Sequence, residues 1–324
     1  MKDVGSYQNN LISRYKVSIS RIVVWGVGIL ALCILIYRIH KSLSNHQIQE
    51  SLKIIDNKTQ WFYFVLAFLL MPINWLIETW KWYKVSCQVE SVSFKKALFS
   101  LLVGMAYGHL LPGRSSEFLG KILFFSEKNK SNISVLHFVN AAFQMYITLL
   151  VSLLFIVLNF LFLHNADTFQ FYFILVFSLL FFIGFTLFIV YADKLHFLKK
   201  FLPALNYKLP IVLKFELLFW SIVRYIVFVL QFYWVFKIFS PYQAFNYTFV
   251  SSLSLYYLFT SLIPMISIIE VAVRSLVAIM VFQNINTSDV QLTIITTLIW
   301  LINLVIPSII GFVIWLQMFK WKKQ

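Results

Sequence analysis

Long apolar runs alternate along the chain with short, mostly basic connections. The runs occupy 22–37, 61–80, 97–125 with an interruption at 112–116, 136–163, 170–191, 214–238, 247–282 with an interruption at 264–270, and 291–319. Several are long enough to cross a hydrocarbon core of about 30 Å, which takes roughly 20 helical residues, and none has the ten-residue alternation of an outer-membrane barrel. The pattern predicts an all-α, polytopic membrane protein with about six unbroken spanning helices and two broken elements. Pro72 and Pro307 lie inside predicted spans and imply bends there. Trp61, Trp80, Trp82 and Trp321 fall near predicted helix ends, where tryptophan favours the headgroup zone.

The two broken runs resemble each other. "GHLLPGRSSEFLGKILFF" and "TSLIPMISIIEVAVRSLVAIMVF" each end an apolar arm in Leu-Leu-Pro or Leu-Ile-Pro, at Pro112 and Pro264. A glutamate follows five or six residues on (Glu117, Glu270) and a cation four later (Lys121, Arg274). Phe94 lies 18 residues before Pro112 and Tyr247 17 before Pro264, so the upstream arms match as well. The arm "ALFSLLVGMAYGHLL" has 15 residues, or about 22 Å of helix, which is short of a crossing and predicts a re-entrant hairpin.

Charge sets the sidedness. Lys and Arg number four in 1–21, four in 81–96, two in 126–135, five in 192–214 and three in 320–324, against none in 164–169 or 284–290 and one in 237–246. With both termini inside, 18 of the 27 cations are inside, five outside and four within membrane segments; 38–60 is the one basic connection placed outside. The first hairpin is then flanked by inside connections and the second by outside ones, so they enter from opposite faces. The chain reads as one domain, 1–324, built from an inverted repeat with halves at about 61–163 and 214–319. Such repeats with broken helices recur in transporters, with the substrate near the midplane.

Composition narrows the picture further. Sixty per cent of residues are hydrophobic and 12% charged, which excludes an ordinary soluble globule. The net charge of +15 sits in the connections and reports topology rather than nucleic-acid binding. Cys33 and Cys87 read as free thiols, and "IVVWGVGILALCILIY" after Lys2, Arg14, Lys16 and Arg21 reads as a retained anchor. No Cys-x-x-Cys, His-Glu-x-x-His, Gly-x-Ser-x-Gly or phosphate-loop pattern occurs, so neither a metal, a cofactor nor a known catalytic constellation is expected.

Candidate substrate-binding residues are those a bilayer makes expensive. Arg114, Glu117, Lys121, Arg224, Glu270 and Arg274 lie at membrane depth, where charge needs partners or water; Ser115, Ser116 and His109 flank the first break. A helix starting after each break would offer its N-terminus to an anion. The i,i+4 order of Glu117–Lys121 and Glu270–Arg274 favours pairing on one helical face. Ser267-Ile-Ile-Glu270 has the form of a capping box. Arg224 must find a partner, with Glu117 or Glu270 the expected one, while Asn74 and Glu78 are assigned to the interface. His109 is either a proton relay or a hydrogen-bonded packing residue.

"LLPGRSSEFLGKILFF" resembles the Pro-x-Arg-x-Gly-Glu signature of the lysylphosphatidylglycerol synthase transmembrane family, the flippase-like domain also found at the N-terminus of the multiple peptide resistance factors. "LIPMISIIEVAVRSLVAI" resembles its second signature, Pro-Gly-Gly-x-Gly-x-x-Glu. Ser116 stands where that family has glycine, and Met265, Ile266 and Ile268 depart from the second motif. The resemblance covers roughly 15–320 by layout and implies lipid translocation; with the chain ending at Gln324, no aminoacyl-transferase half is expected. The expected substrate is a phospholipid, an aminoacylated phospholipid or a polyprenyl-phosphate-linked lipid. The expected location is the cell (inner) membrane, with both termini cytoplasmic. The alternatives are an intramembrane enzyme with Glu117 or His109 as general base, and a scaffold subunit. A homo-oligomer or a partner enzyme remains open.

Overall fold

The computed structural model of the chain describes residues 33–34, 36–37, 58–109, 114–163, 169–191, 209–263 and 267–321. All regular elements among them are helical: α1 (Lys58–Ser86), α2 (Phe94–Tyr107), α3 (Glu117–Ile122), a 3-10 turn (Glu127–Asn129), α4 (Lys130–Leu163), α5 (Phe169–Tyr191), α6 (Ile211–Phe239), α7 (Tyr247–Leu262), α8 (Ser267–Val281), α9 (Asp289–Trp300), a π segment (Leu301–Val305) and α10 (Ile306–Trp321). Of the expected N-terminal anchor only Cys33, Ile34, Ile36 and Tyr37 are described, all helical. Pro112 and Pro264, the prolines of the two expected breaks, lie outside the described residues, as do most of the connections 38–60, 164–169 and 192–214.

Among the described residues, three stretches, Lys58–Ser86, Glu127–Asn159 and Asp289–Met318, are long and apolar enough to cross a membrane. Phe62, Leu69 and Leu76 on α1 and Phe215, Phe219 and Ile222 on α6 are exposed. A surface of that kind suits lipid and would be a liability in water.

Helix α1 runs six residues beyond the end expected at residue 80, and it runs through Pro72. That extension corrects two sequence expectations. Lys81, counted among the inside loop cations, is fully buried, and Trp82 is buried too, donating its indole N–H to Ser100 Oγ at 2.8 Å instead of reaching a headgroup zone. Apolar run length misjudged this end because Lys81 and Lys84 interrupt the run, while Trp82 and Val85 are still buried against neighbouring elements. At the other proline the structure supplies the mechanism of a bend: Pro307 follows the π segment, where the Ile306 N–H reaches back to the Leu301 carbonyl. The wider turn accommodates a ring that cannot donate and that crowds the preceding turn.

Helices α1 and α6 are antiparallel. Tyr63 stacks on Trp234, Gln231 Nε2 donates to the Ala67 carbonyl, Arg224 reaches Asn74 and Glu78, and Glu216 meets Trp80 and Lys84. Position therefore falls on α6 as it rises on α1. The elements also recur at a constant spacing: α1 and α6 both have 29 residues and start at 58 and 211, while α2 and α7 start at 94 and 247, each pair 153 apart. The hairpins formed by α2–α3 and α7–α8 hang from the ends of α1 and α6, hence from opposite ends of the antiparallel pair. The first arm of each packs against the last span of the other half, α2 on α10 and α7 on α4.

Each hairpin returns to the side it left. Glu90, before α2, accepts from Ser126 N at 3.1 Å, Ser126 Oγ at 2.8 Å and Asn129 Nδ2 at 3.0 Å, all after α3, and pairs with Lys96 at 3.0 Å. At the second neck, Gln291 Nε2 donates to the Phe239 carbonyl at 3.5 Å, and Ser240 and Thr287 hydroxyls lie 3.4 Å apart. The Asn129 and Ser126 side-chain bonds, with smaller help from Lys96, hold the Glu90 carboxyl down at about 2. A depressed folded-state value means that this stabilisation is complete above the ordinary value of 4.5 and is lost as pH falls from there through about 2. Glu90→Gln is therefore expected to flatten the acid limb of a thermal-stability profile across that window, measured by melting in detergent.

Candidate functional site

The site begins on one face of α1. Asn74, Glu78 and Lys81 recur at helical spacing and all point into the bundle, with relative exposures of 1%, 7% and 0%. Burial at that level is tolerable only if each polar atom finds a partner. Arg224, from the middle of α6, gives its Nε to Asn74 Oδ1 at 2.7 Å and an NH1 to Glu78 Oε2 at 2.8 Å, and lies over the Phe228 ring. The other Glu78 oxygen accepts from Asn140 Nδ2 of α4 at 2.7 Å, and Lys81 Nζ is 3.5 Å from Oε2. Arg224 thus pairs with Glu78 and Asn74, not with Glu117 or Glu270, and the interface role expected for those two α1 residues is corrected. The antiparallel register of α1 and α6 decides this, because it brings the middle of α6 against the third quarter of α1.

The first hairpin brings a second ion cluster beside the first. Glu117 opens α3, with Arg114 NH2 at 3.3 Å from Oε2 and Lys121 Nζ at 3.4 Å from Oε1. Lys121 is 1% exposed; its ammonium donates to His137 Nδ1 at 3.0 Å and sits 4.7 Å from the Trp82 ring centre. Arg114 has φ of 58°, in the left-handed region that side chains with a Cβ adopt at a cost of about 1–2 kcal/mol. Strain of this kind persists where surrounding contacts over-determine a conformation. Ser116 Oγ donates to the Tyr107 carbonyl at 2.5 Å and so braces the break, and Ser115 is exposed. His109 Nε2 meets Ser308 Oγ of α10 at 2.8 Å, and Ser308 in turn reaches the Met105 and Leu304 carbonyls.

In the second hairpin Glu270 Oε1 accepts from Arg274 Nε at 2.9 Å and NH2 at 2.7 Å, while Oε2 accepts from Trp300 Nε1 at 3.3 Å. Both oxygens are thereby engaged with side chains; the Ser267 side chain, on which the expected capping box at Glu270 depends, is outside what is described, and a capping box forms at Ser288–Gln291. The expectation of an anion seated on helix N-termini also changes. Helix α3 has only six residues and carries Glu117 in its first turn, and α8 carries Glu270 in its first turn, so each start already faces a carboxylate. Any anion is left to the guanidinium groups.

Those groups converge. A cavity of about 190 Å³ is lined by Arg114, Arg224 and Arg274 together with Asn74, Trp75 and Asn303. Of the nine residues singled out in the sequence, three arginines line it; Glu117, Lys121 and Glu270 stand behind them as partners; His109 and Ser116 hold the hairpin; Ser115 faces outward. Arg114 of the first hairpin and Arg274 of the second line the same cavity, so the two hairpins meet at one place. Sequence reasoning missed Lys81, Trp82, His137 and Asn140. A usable signal was the Asn74-x3-Glu78-x2-Lys81 spacing, which is one helical face, and His137-x2-Asn140, which is another.

Helices able to cross a membrane, joined by two opposed hairpins around a half-buried cluster of arginines, define a polytopic helical membrane protein with a polar chamber inside its bundle. The sequence matches the family described as Lysylphosphatidylglycerol synthase TM region over residues 23–315, and the chain belongs to that family. Searches of curated proteins and of solved structures each gave no significant match.

Proposed function

We propose that the protein moves a membrane lipid between leaflets by passing its headgroup through the arginine-lined chamber while the tails stay in the bilayer. One observation carries this reading: three arginines from three different segments face one cavity in a bundle where ionised groups are otherwise costly. Arg114, Arg224 and Arg274 would hold the lipid phosphate; Glu78, Glu117 and Glu270 keep those cations paired and placed between passages. The opposed hairpins supply two gates, and rocking of one half against the other would expose the chamber to each side in turn. The family's link to lipid supports the substrate class. The proposed setting is the cell membrane with both termini cytoplasmic, the substrate being a phospholipid, an aminoacylated phospholipid or a polyprenyl-phosphate-linked lipid.

Transport is favoured over catalysis because both oxygens of Glu117 are engaged by cations and His109 is held by Ser308, which leaves neither aimed at a reacting group. In vesicles, scrambling of a fluorescent phospholipid is expected to fall at least about tenfold, or about 1.4 kcal/mol, in Arg114→Gly and in Glu117→Gln. Arg114→Gly relaxes the left-handed backbone and removes the charge, so its melting temperature should not fall with its rate. Parental rates in both variants would defeat the proposal.

A further inference from the structure

We propose that the chamber selects a phosphoryl group carrying two negative charges, a terminal phosphate monoester or diphosphate, over a singly charged phosphodiester or a headgroup bearing an amine. This rests on the reading of the chamber as a headgroup site. Five cations, Lys81, Arg114, Lys121, Arg224 and Arg274, share three carboxylates, Glu78, Glu117 and Glu270. Glu78 serves both Arg224 and Lys81, and Glu117 serves both Arg114 and Lys121; only Arg274 has a carboxylate to itself. The remaining acidic groups among the described residues are placed elsewhere: Glu90 at the first neck, Glu127 on Lys130, Glu216 on Trp80 and Lys84, and Asp289 at the start of α9.

The excess therefore amounts to two positive charges, and its two ammonium groups, on Lys81 and Lys121, are at most 1% exposed. Buried cations that share a counter-ion attract a further anion, and a dianion cancels the excess where a phosphodiester cancels half of it. An amine would add to it. The unused hydrogen-bonding atoms point the same way. Arg114 Nε, Asn74 Nδ2 and Trp75 Nε1 are buried without a partner among the described residues, and all three are donors on cavity-lining residues. Two lining acceptors, Gln144 Oε1 and Asn303 Oδ1, are also unused and suit a hydroxyl or water beside the group.

The same chemistry is offered by a lipid phosphomonoester and by free phosphate, and the test separates them. The full chain in detergent is titrated at about pH 7, above the second phosphate ionisation near 6, with phosphatidic acid, phosphatidylglycerol, lysyl-phosphatidylglycerol and inorganic phosphate, read by native mass spectrometry. Phosphatidic acid is expected to bind at least about tenfold tighter than either diester, and the gap is expected to close at about pH 5, where the monoester carries one charge. Lys81→Gln and Lys121→Gln should each lower phosphatidic acid affinity towards that of phosphatidylglycerol. Inorganic phosphate binding as tightly as phosphatidic acid would uphold the dianion and assign it to the free ion. Equal affinity of the parent protein for phosphatidic acid and phosphatidylglycerol, or tighter binding of the lysyl lipid, overturns the proposal without needing any variant to fold. The transport reading is judged separately, by the Arg114→Gly and Glu117→Gln rates.

Discussion

Glu78→Ala is expected to be the most damaging single substitution at the site, lowering stability by about 3–5 kcal/mol and leaving little monodisperse protein. Its carboxylate is the shared anion of Arg224 at 2.8 Å and Lys81 at 3.5 Å, and it also accepts from Asn140. Alanine strands a guanidinium and an ammonium inside the bundle, and the guanidinium cannot escape by losing its proton. The loss comes less from the pair's own strength than from the charges left behind. Glu78→Gln is expected to be much milder, because an amide keeps an acceptor for Arg224. The molecule contains a precedent: Gln231 lies 153 residues after Glu78, the same interval that separates Glu117 from Glu270 and Lys121 from Arg274. Gln231 also bonds an asparagine of the following span, accepting from Asn303 Nδ2 at 2.8 Å, as Glu78 accepts from Asn140. The second half thus holds a neutral version of the same joint. Arg224→Met placed on Glu78→Ala should recover part of the loss, since Lys81 is then the one cation of the cluster left without its carboxylate. Melting temperature and size-exclusion profile in detergent measure all three.

That comparison also explains what was legible in the sequence. Local chemistry was: the i,i+4 pairs at Glu117–Lys121 and Glu270–Arg274 form on the helices that the sequence placed after the breaks. The twin hairpins were legible because a proline, a glutamate and a cation recur in the same order. What depends on register between distant helices was not. Arg224 was visible as a cation needing a partner, but which carboxylate it meets depends on how α1 and α6 slide past one another, and nothing in either run of apolar residues specifies that. The end of α1 was misjudged for a related reason. Lys81 and Trp82 look like interface residues until Glu78 on the same helix, and Lys121 and Ser100 from neighbouring segments, accommodate them. The break residues behaved differently again: Ser116 carries a hydroxyl fit for a ligand, yet the chain uses it to close its own backbone on Tyr107.

Gly311→Ala is expected to cost at least about 1–3 kcal/mol and to slow transport with it, although residue 311 touches no candidate site residue. A Cβ built there would lie 1.9 Å from the Leu102 carbonyl oxygen and 2.4 Å from its carbon. Both are backbone atoms, so no side chain can swing aside; α10 and α2 must separate instead. Small residues at helix crossings exist to permit such approach where water supplies no driving force between helices. The same face of α10 carries Ser308, one turn earlier, which holds His109 and the Met105 carbonyl. Pushing α2 away therefore loosens the end of the arm from which the strained Arg114 turn departs, and the guanidinium loses its aim at the cavity. Gly184→Ala is the control, because a Cβ there meets nothing within 4 Å. If Gly311→Ala melts and transports like Gly184→Ala, the close crossing does not position the first hairpin. If it melts lower yet transports at the parental rate, the crossing serves stability alone and Arg114 takes its position from the turn itself.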